Sequence, residues 1–146
     1  MTAGRIRSLL MLLIMGLGTY RCGVDNEKIE QQLVGDWILE QQDNNQCEDS
    51  EENGSQGFIC SSLFCSRLIF SDSSSYTIEI TTEGITTSDN GLFTIEGSAL
   101  ELCSDPDEDE AAICTELLMT LTGQTLIING TVKVGGCYVR QRYVRN

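Results

Sequence analysis

The chain has 146 residues, enough for one domain with a real core, and carries 22 acidic residues against nine Lys or Arg, a formal net charge of −13. That balance excludes nucleic-acid phosphate as a partner and favours a solvated monomer kept apart by self-repulsion. The lack of any histidine excludes Ser-His-Asp and Cys-His catalysis and removes the commonest transition-metal ligand.

In chain order, residues 1–21 read as a signal peptide. Arg5 and Arg7 make a positive start, and Ser8 to Gly18 is an apolar run, shorter than the roughly 20 residues of an ordinary spanning helix. Cys22 follows. It resembles the lipid-modified cysteine of bacterial lipoproteins, although Arg21 stands where those proteins have a small residue; cleavage after Gly18 is the alternative. Residues 22–33 read as a polar tether that ends in a helical turn.

The domain is expected over 34–146, with its first strand at 34–42. Trp37 and Leu39 fall on one side, and Asp36, Ile38 and Glu40 on the other, which is the period of a half-buried strand. Gly35 can bring the backbone close to a neighbour or take a φ that other residues avoid. Trp37, the sole Trp, reads as a core anchor whose N–H needs an acceptor. Residues 43–57 lack apolar periodicity and read as a loop with its acids in water. Strand-like runs follow at 64–70 and 76–81, separated by the Ser-rich turn at 71–75. Residues 82–91 read as a turn through Gly84 and Asp89-Asn90-Gly91. Phe93 and Ile95 alternate with polar residues, Gly97-Ser98 reverses the chain, and Leu100 and Leu102 flank Glu101. Leu117, Met119 and Leu121 mark another strand, ended at Gly123-Gln124. Asn129-Gly130 between two β-rich runs predicts a two-residue hairpin turn, Gly135-Gly136 a bend or bulge, and 137–144 the last strand. With one apolar face per strand, the pattern predicts an all-β antiparallel barrel or sandwich of about eight or nine short strands.

Between the Leu100–Leu102 and Leu117–Leu121 runs lies Asp105-Pro106-Asp107-Glu108-Asp109-Glu110, with Glu116 beyond it. The spacing echoes a calcium loop, but Glu110 stands where that loop needs glycine and neither flank is helical. The stretch therefore reads as a solvated turn, and no metal ligand is assigned. Six cysteines lie in the domain, an even number that suggests three disulfides and an oxidising compartment. Cys103 and Cys114 bracket the acidic loop at the ends of neighbouring strands. Cys60 and Cys65 can close a small local loop, which leaves Cys47 for Cys137.

The opening Gly35-Asp36-Trp37 resembles the first motif of the lipocalins. The tract at 68–78 resembles the next strand pair of small lipocalin-like domains in exported bacterial lipoproteins. Gly91-Leu92-Phe93-Thr94-Ile95, Leu100-Glu101-Leu102 and the closing Tyr138-Val139-Arg140-Gln141-Arg142-Tyr143 fit the same layout. The middle lipocalin motif finds no match, and the six cysteines exceed the family's usual number. The resemblance covers 33–145 and implies an up-and-down β-barrel. It also implies that an Arg of the last strand packs over Trp37: Arg140 or Arg142, with Arg145 as a third option.

For function, the resemblance implies a non-enzymatic exported protein, without cofactor, that binds a small apolar ligand. Tyr76, Ile78, Phe93, Ile95, Leu100, Leu102, Met119 and Leu121 would then line the interior. The alternative is that these side chains fill the barrel and the loops bind a protein, for example an external enzyme to be inhibited. A carboxylate-based enzyme trails both, because no two acids stand out from the rest. Membrane contact would come through a lipid on Cys22.

Overall fold

The structure, a computed structural model, describes residues 25–106 and 111–146. The expected signal peptide, Cys22 and the acidic stretch 107–110 lie outside the described residues. So do the first residues of the expected tether. Its remainder is a helix, α1 (Asn26–Leu33), rather than a free linker. The Asp25 side chain accepts from the Lys28 N–H at 3.3 Å and Glu27 sits in the first turn, both favourable at a helix start. Ile29 and Leu33, four apart on one face, pack onto the core, and Leu33 is fully buried. Asn26 accepts from the Gly97 N–H at 3.1 Å and Glu30 accepts from the Ser74 hydroxyl at 2.6 Å. These contacts lay α1 across one end of the molecule.

Nine strands follow: β1 (Gly35–Asn45), β2 (Gly54–Gly57), β3 (Phe64–Phe70), β4 (Ser75–Thr82), β5 (Ile85–Glu96), β6 (Ala99–Ser104), β7 (Cys114–Thr122), β8 (Thr125–Gly130) and β9 (Tyr138–Arg145). β1 and β3 through β9 run up and down in sequence order. β9 pairs back onto β1, which closes an antiparallel barrel of eight strands. β2 is an extra strand on Gln41 to Asn44 of β1. It lies inside the stretch expected as a loop: Gly54-Ser55-Gln56-Gly57 has no apolar pattern and is held by backbone pairing and the Ser55–Asp43 side-chain bond.

The register of β1 shifts at Glu40, between the pairs Leu39↔Tyr143 and Gln41↔Arg142. This bulge reverses the alternation. Trp37 and Leu39 point inward before it, Gln42 after it. Two expected turns are also displaced. Asp89-Asn90-Gly91 is strand, because Gly91 pairs with Tyr76 and lies so close to the Cys103 carbonyl and the Tyr76 ring that a Cβ would strike both. The chain reverses at Glu83-Gly84, at the start of the expected turn. Asn129-Gly130 is strand as well, with Asn129 opposite Arg140. The tight turn is Gly135-Gly136, at φ 59° and 84°, closed by hydrogen bonds in both directions between Val134 and Cys137. Positive φ at both central residues is the hairpin geometry, and Gly-Gly meets it at less cost than Asn-Gly.

The core fills the α1 end of the barrel. Leu33, Trp37, Phe70, Phe93, Leu100 and Leu126 are its most buried members, and Phe70 meets Phe93 edge to face at 4.9 Å. Among the described residues no helix is long and apolar enough to cross a membrane.

Candidate functional site

The α1 end is sealed by one cluster. The Trp37 indole N–H donates to the Leu33 carbonyl at 2.8 Å. The Arg145 guanidinium lies 4.5 Å from the Trp37 ring centre and donates to the Val34 carbonyl at 3.0 Å and to the Gln32 carbonyl. Three carbonyls at the end of α1 thus find donors, which an exposed helix terminus would leave to water. Gly35 takes φ 145°, and a Cβ there would sit 2.8 Å from an Arg145 nitrogen. The glycine of the Gly-x-Trp motif is required for both reasons.

The Arg over Trp37 is therefore the third option, Arg145. Arg140 and Arg142 face outward on β9 and pair across to β1, Arg140 with Asp43 at 2.7 Å and Arg142 with Glu40. Strand alternation explains it, since Tyr143 between Arg142 and Val144 is the inward residue. The Gln41 amide, then Ser55 and Arg140, hold the Asp43 carboxyl down to about 2. Arg67 on β3 donates to Asp36 at 3.2 Å and to Glu79 at 2.8 Å, and keeps Asp36 below the usual carboxylate range.

Toward the other end the barrel is hollow. A cavity of about 330 Å³, open to solvent, lies among Gln42 of β1, Leu68 of β3, Ile78 of β4, Leu102 of β6, Leu117 of β7, Ile128 of β8, and Val139, Gln141 and Tyr143 of β9. Its size is at the lower end of small-molecule sites. The wall is apolar except for a ridge along β1 and β9. There Tyr143 donates to the Gln141 amide oxygen at 3.1 Å, Gln141 donates to Gln42 at 3.1 Å, and Gln42 donates to Asn44 at 3.3 Å. Burial pushes the Tyr143 phenol up to about 12, so it keeps its proton.

Of the residues expected to line the interior, Ile78 and Leu102 lie on the cavity wall. Tyr76, Phe93, Leu100 and Met119 are buried in the closed core beneath it, and Ile95 and Leu121 pack against that core. Sequence reasoning missed Gln42, Gln141 and Tyr143. Gln42 was masked by the bulge at Glu40, which turns it from the outer face to the inner; Gln141 and Tyr143 stand in the alternation of β9, where the arginines drew attention instead.

All three disulfides stand at the open end: Cys47–Cys137, Cys60–Cys65 and Cys103–Cys114. Cys103 and Cys114 are directly opposite in the β6–β7 register. Such bonds form and persist in oxidising surroundings. The same end carries exposed apolar side chains around the opening, Ile59, Leu63, Ile113, Val132 and Val134 on its loops and Ile85 at the start of β5.

A lipocalin-like protein from Bacteroides uniformis ATCC 8492 matches this architecture with a TM-score of 0.55, at 14% identity, over 79% of this chain and 99% of its own. The fold is lipocalin-like. Fatty-acid-binding protein 1 of Echinococcus granulosus matches at TM-score 0.43 and 16% identity, over 79% of this chain and 98% of its own. No family model matches the chain, and no curated protein matches it in sequence.

Proposed function

We propose that the protein is an exported, non-enzymatic binder of one small apolar molecule, held in the open half of the barrel. The observation that carries this reading is the cavity of about 330 Å³ above a sealed core. A barrel built only as a scaffold for binding loops gains stability by filling that space, because a void forfeits packing contacts. The hollow therefore weighs against the filled-barrel alternative. The missing histidine and the scattered acids give no nucleophile–base pair, which supports a binder over an enzyme.

Export is supported by the signal-like segment 1–21 and by three disulfides. The mature chain then starts at Cys22, carrying a lipid that holds the barrel at a membrane surface, or at Thr19 after cleavage behind Gly18, free in solution. In the first case residues 22–25 are a short leash to α1, too short to let the barrel roam.

Native mass spectrometry of the protein purified from its own host tests these points together. A mass excess that is lost on gentle activation is the expected bound molecule, and the residual mass reports the N-terminus and any lipid on Cys22. A barrel empty in every preparation, with no small molecule able to displace a solvatochromic dye, would overturn the reading. Recovery of the full-length chain from the cytoplasm with Met1 intact would overturn export.

A further inference from the structure

We propose that the cavity selects apolar molecules whose polar end is uncharged, such as an alcohol or a primary amide, and rejects the corresponding carboxylates. This rests on the binding function proposed above and names the ligand class for that same cavity.

The polar ridge supplies the first reason. Its groups inside the cavity are two amides and a phenol, on Gln42, Gln141 and Tyr143. Each amide nitrogen has two N–H bonds and spends one of them on the ridge itself, Gln141 on Gln42 and Gln42 on Asn44. Each keeps one N–H free. The Tyr143 hydroxyl spends its proton on Gln141 and keeps lone pairs free to accept. The ridge thus offers free donors beside a free acceptor. An alcohol or an amide matches both, since it donates and accepts. A carboxylate accepts only: it can take the free N–H bonds, but the phenol can meet it only by giving up its own bond to Gln141.

The second reason is where the cations are. Arg140, Arg142 and Arg67 are spent on outward ion pairs with Asp43, Glu40, and Asp36 and Glu79. Arg145 is held at the sealed end over Trp37. No Lys or Arg among the described residues lines the cavity. A carboxylate entering it loses hydration and gains no counter-charge, which costs far more than burying a hydrogen-bonded neutral group. The third reason is the approach. Glu48 packs against Gly136 at the rim and Glu52 stands beside the Cys47–Cys137 bridge, against one nearby cation, Lys133 over the Tyr138 ring, and the chain as a whole carries −13. That field repels anions before they reach the opening.

The test uses the oxidised protein and Nile red, an uncharged dye, as the displaced probe. Decanol, decanamide and decanoate have the same chain length and differ in the head. Decanol and decanamide are expected to displace the dye at least about tenfold more tightly than decanoate at neutral pH, a gap of about 1.4 kcal/mol per decade. Decanoate should gain affinity as the pH falls through its own pKa, while decanol should not change. Gln141→Leu should narrow the gap by weakening decanol and decanamide, and so should Gln42→Leu; a melting curve for each variant shows that it is folded. Decanoate binding as tightly as decanol, or without dependence on pH, overturns the head-group selection and leaves the cavity's binding role standing. Failure of the dye and of all three compounds to bind overturns the binding role, and the selection with it.

Discussion

Trp37 does three things that no other residue of the chain combines. Its ring fills the sealed end, its N–H satisfies the Leu33 carbonyl, and its face carries the Arg145 guanidinium. Trp37→Ala is expected to cost about 3–5 kcal/mol, the range for emptying a large aromatic site. Arg145→Ala should cost less, and the double variant less than the sum of the two, because both lose the same cap on α1. Urea midpoints of the three variants decide it, and simple additivity would dissolve the cluster as a unit. Tyr143 gives a pH prediction at the same scale. Its folded pKa is raised to about 12 from an ordinary value of 10.0. The unfolded chain therefore releases this proton first. The contribution is fully present below about pH 10 and is lost as the pH rises through about 12. Burial raises the Tyr76 phenol as well, so tyrosinate absorbance followed by base titration should show late phenols that come up with unfolding, with one fewer in Tyr143→Phe. An early, reversible titration of all the phenols would contradict its burial.

At the scale of elements, the chain offers two glycine-containing turn candidates between the start of β8 and β9 and uses the less expected one. Asn129-Gly130 continues β8 because Asn129 sits opposite Arg140, and β9 is held in that register by β1 on its other side. Gly135-Gly136 then turns the loop back toward Cys137, whose bond to Cys47 anchors the reversal. Gly136→Ala places a Cβ at φ 84° and should cost about 1–2 kcal/mol, the penalty for a left-handed L-residue. Gly130→Ala meets ordinary contacts at 3.4 Å and 3.5 Å and should cost clearly less. Melting temperatures in the reverse order would restore the Asn-Gly hairpin. The same reasoning explains α1. Its apolar residues are too few to hold an isolated helix of eight residues, and packing of Ile29 and Leu33 supplies what propensity does not.

For the whole molecule, the division of the barrel into a packed half and a hollow half governs stability. The three disulfides are all placed in the hollow half. Loop closure ranks their contributions. With sequence separations of 90, 11 and 5, the Cys47–Cys137, Cys103–Cys114 and Cys60–Cys65 bonds should contribute about 4–5, about 3 and about 2 kcal/mol in the chain-entropy account. Replacing each pair by serine and measuring the guanidinium midpoint tests the order. A variant without Cys60–Cys65 that is less stable than one without Cys47–Cys137 would show that local strain or denatured-state structure outweighs loop entropy here. The Cys47–Cys137 bond also joins the first loop to the last across the β1–β9 closure, so its loss should loosen the mouth before the sealed core.

Strand existence was legible because it depends on local alternation. Leu68 and Phe70, Phe93 and Ile95, Leu100 and Leu102, and Met119 and Leu121 each announce one apolar face, and a chain of such faces calls for a barrel or a two-sheet sandwich, between which the resemblance to lipocalins chose the barrel. The disulfide pairs were legible for a similar reason, since in an up-and-down barrel sequence neighbours are spatial neighbours and the first strand meets the last. What alternation does not carry is which inward residues pack and which line a space. Phe93 and Ile78 both face inward, yet Phe93 meets Phe70 under α1 while Ile78 faces the opening. That difference depends on height along the barrel axis, which is set by register, by the bulge at Glu40 and by the helix that seals one end. The choice of Arg145 over Arg140 and Arg142 has the same origin: all three stand on one strand, and only strand parity and the end occupied by α1 decide which reaches the Trp37 ring. The sequence by itself determined a disulfide-bonded, acidic, antiparallel all-β domain without histidine chemistry; the closure of β9 onto β1, the cavity and its uncharged ridge were decided only in three dimensions, because a void is a property of what neighbouring strands leave unfilled.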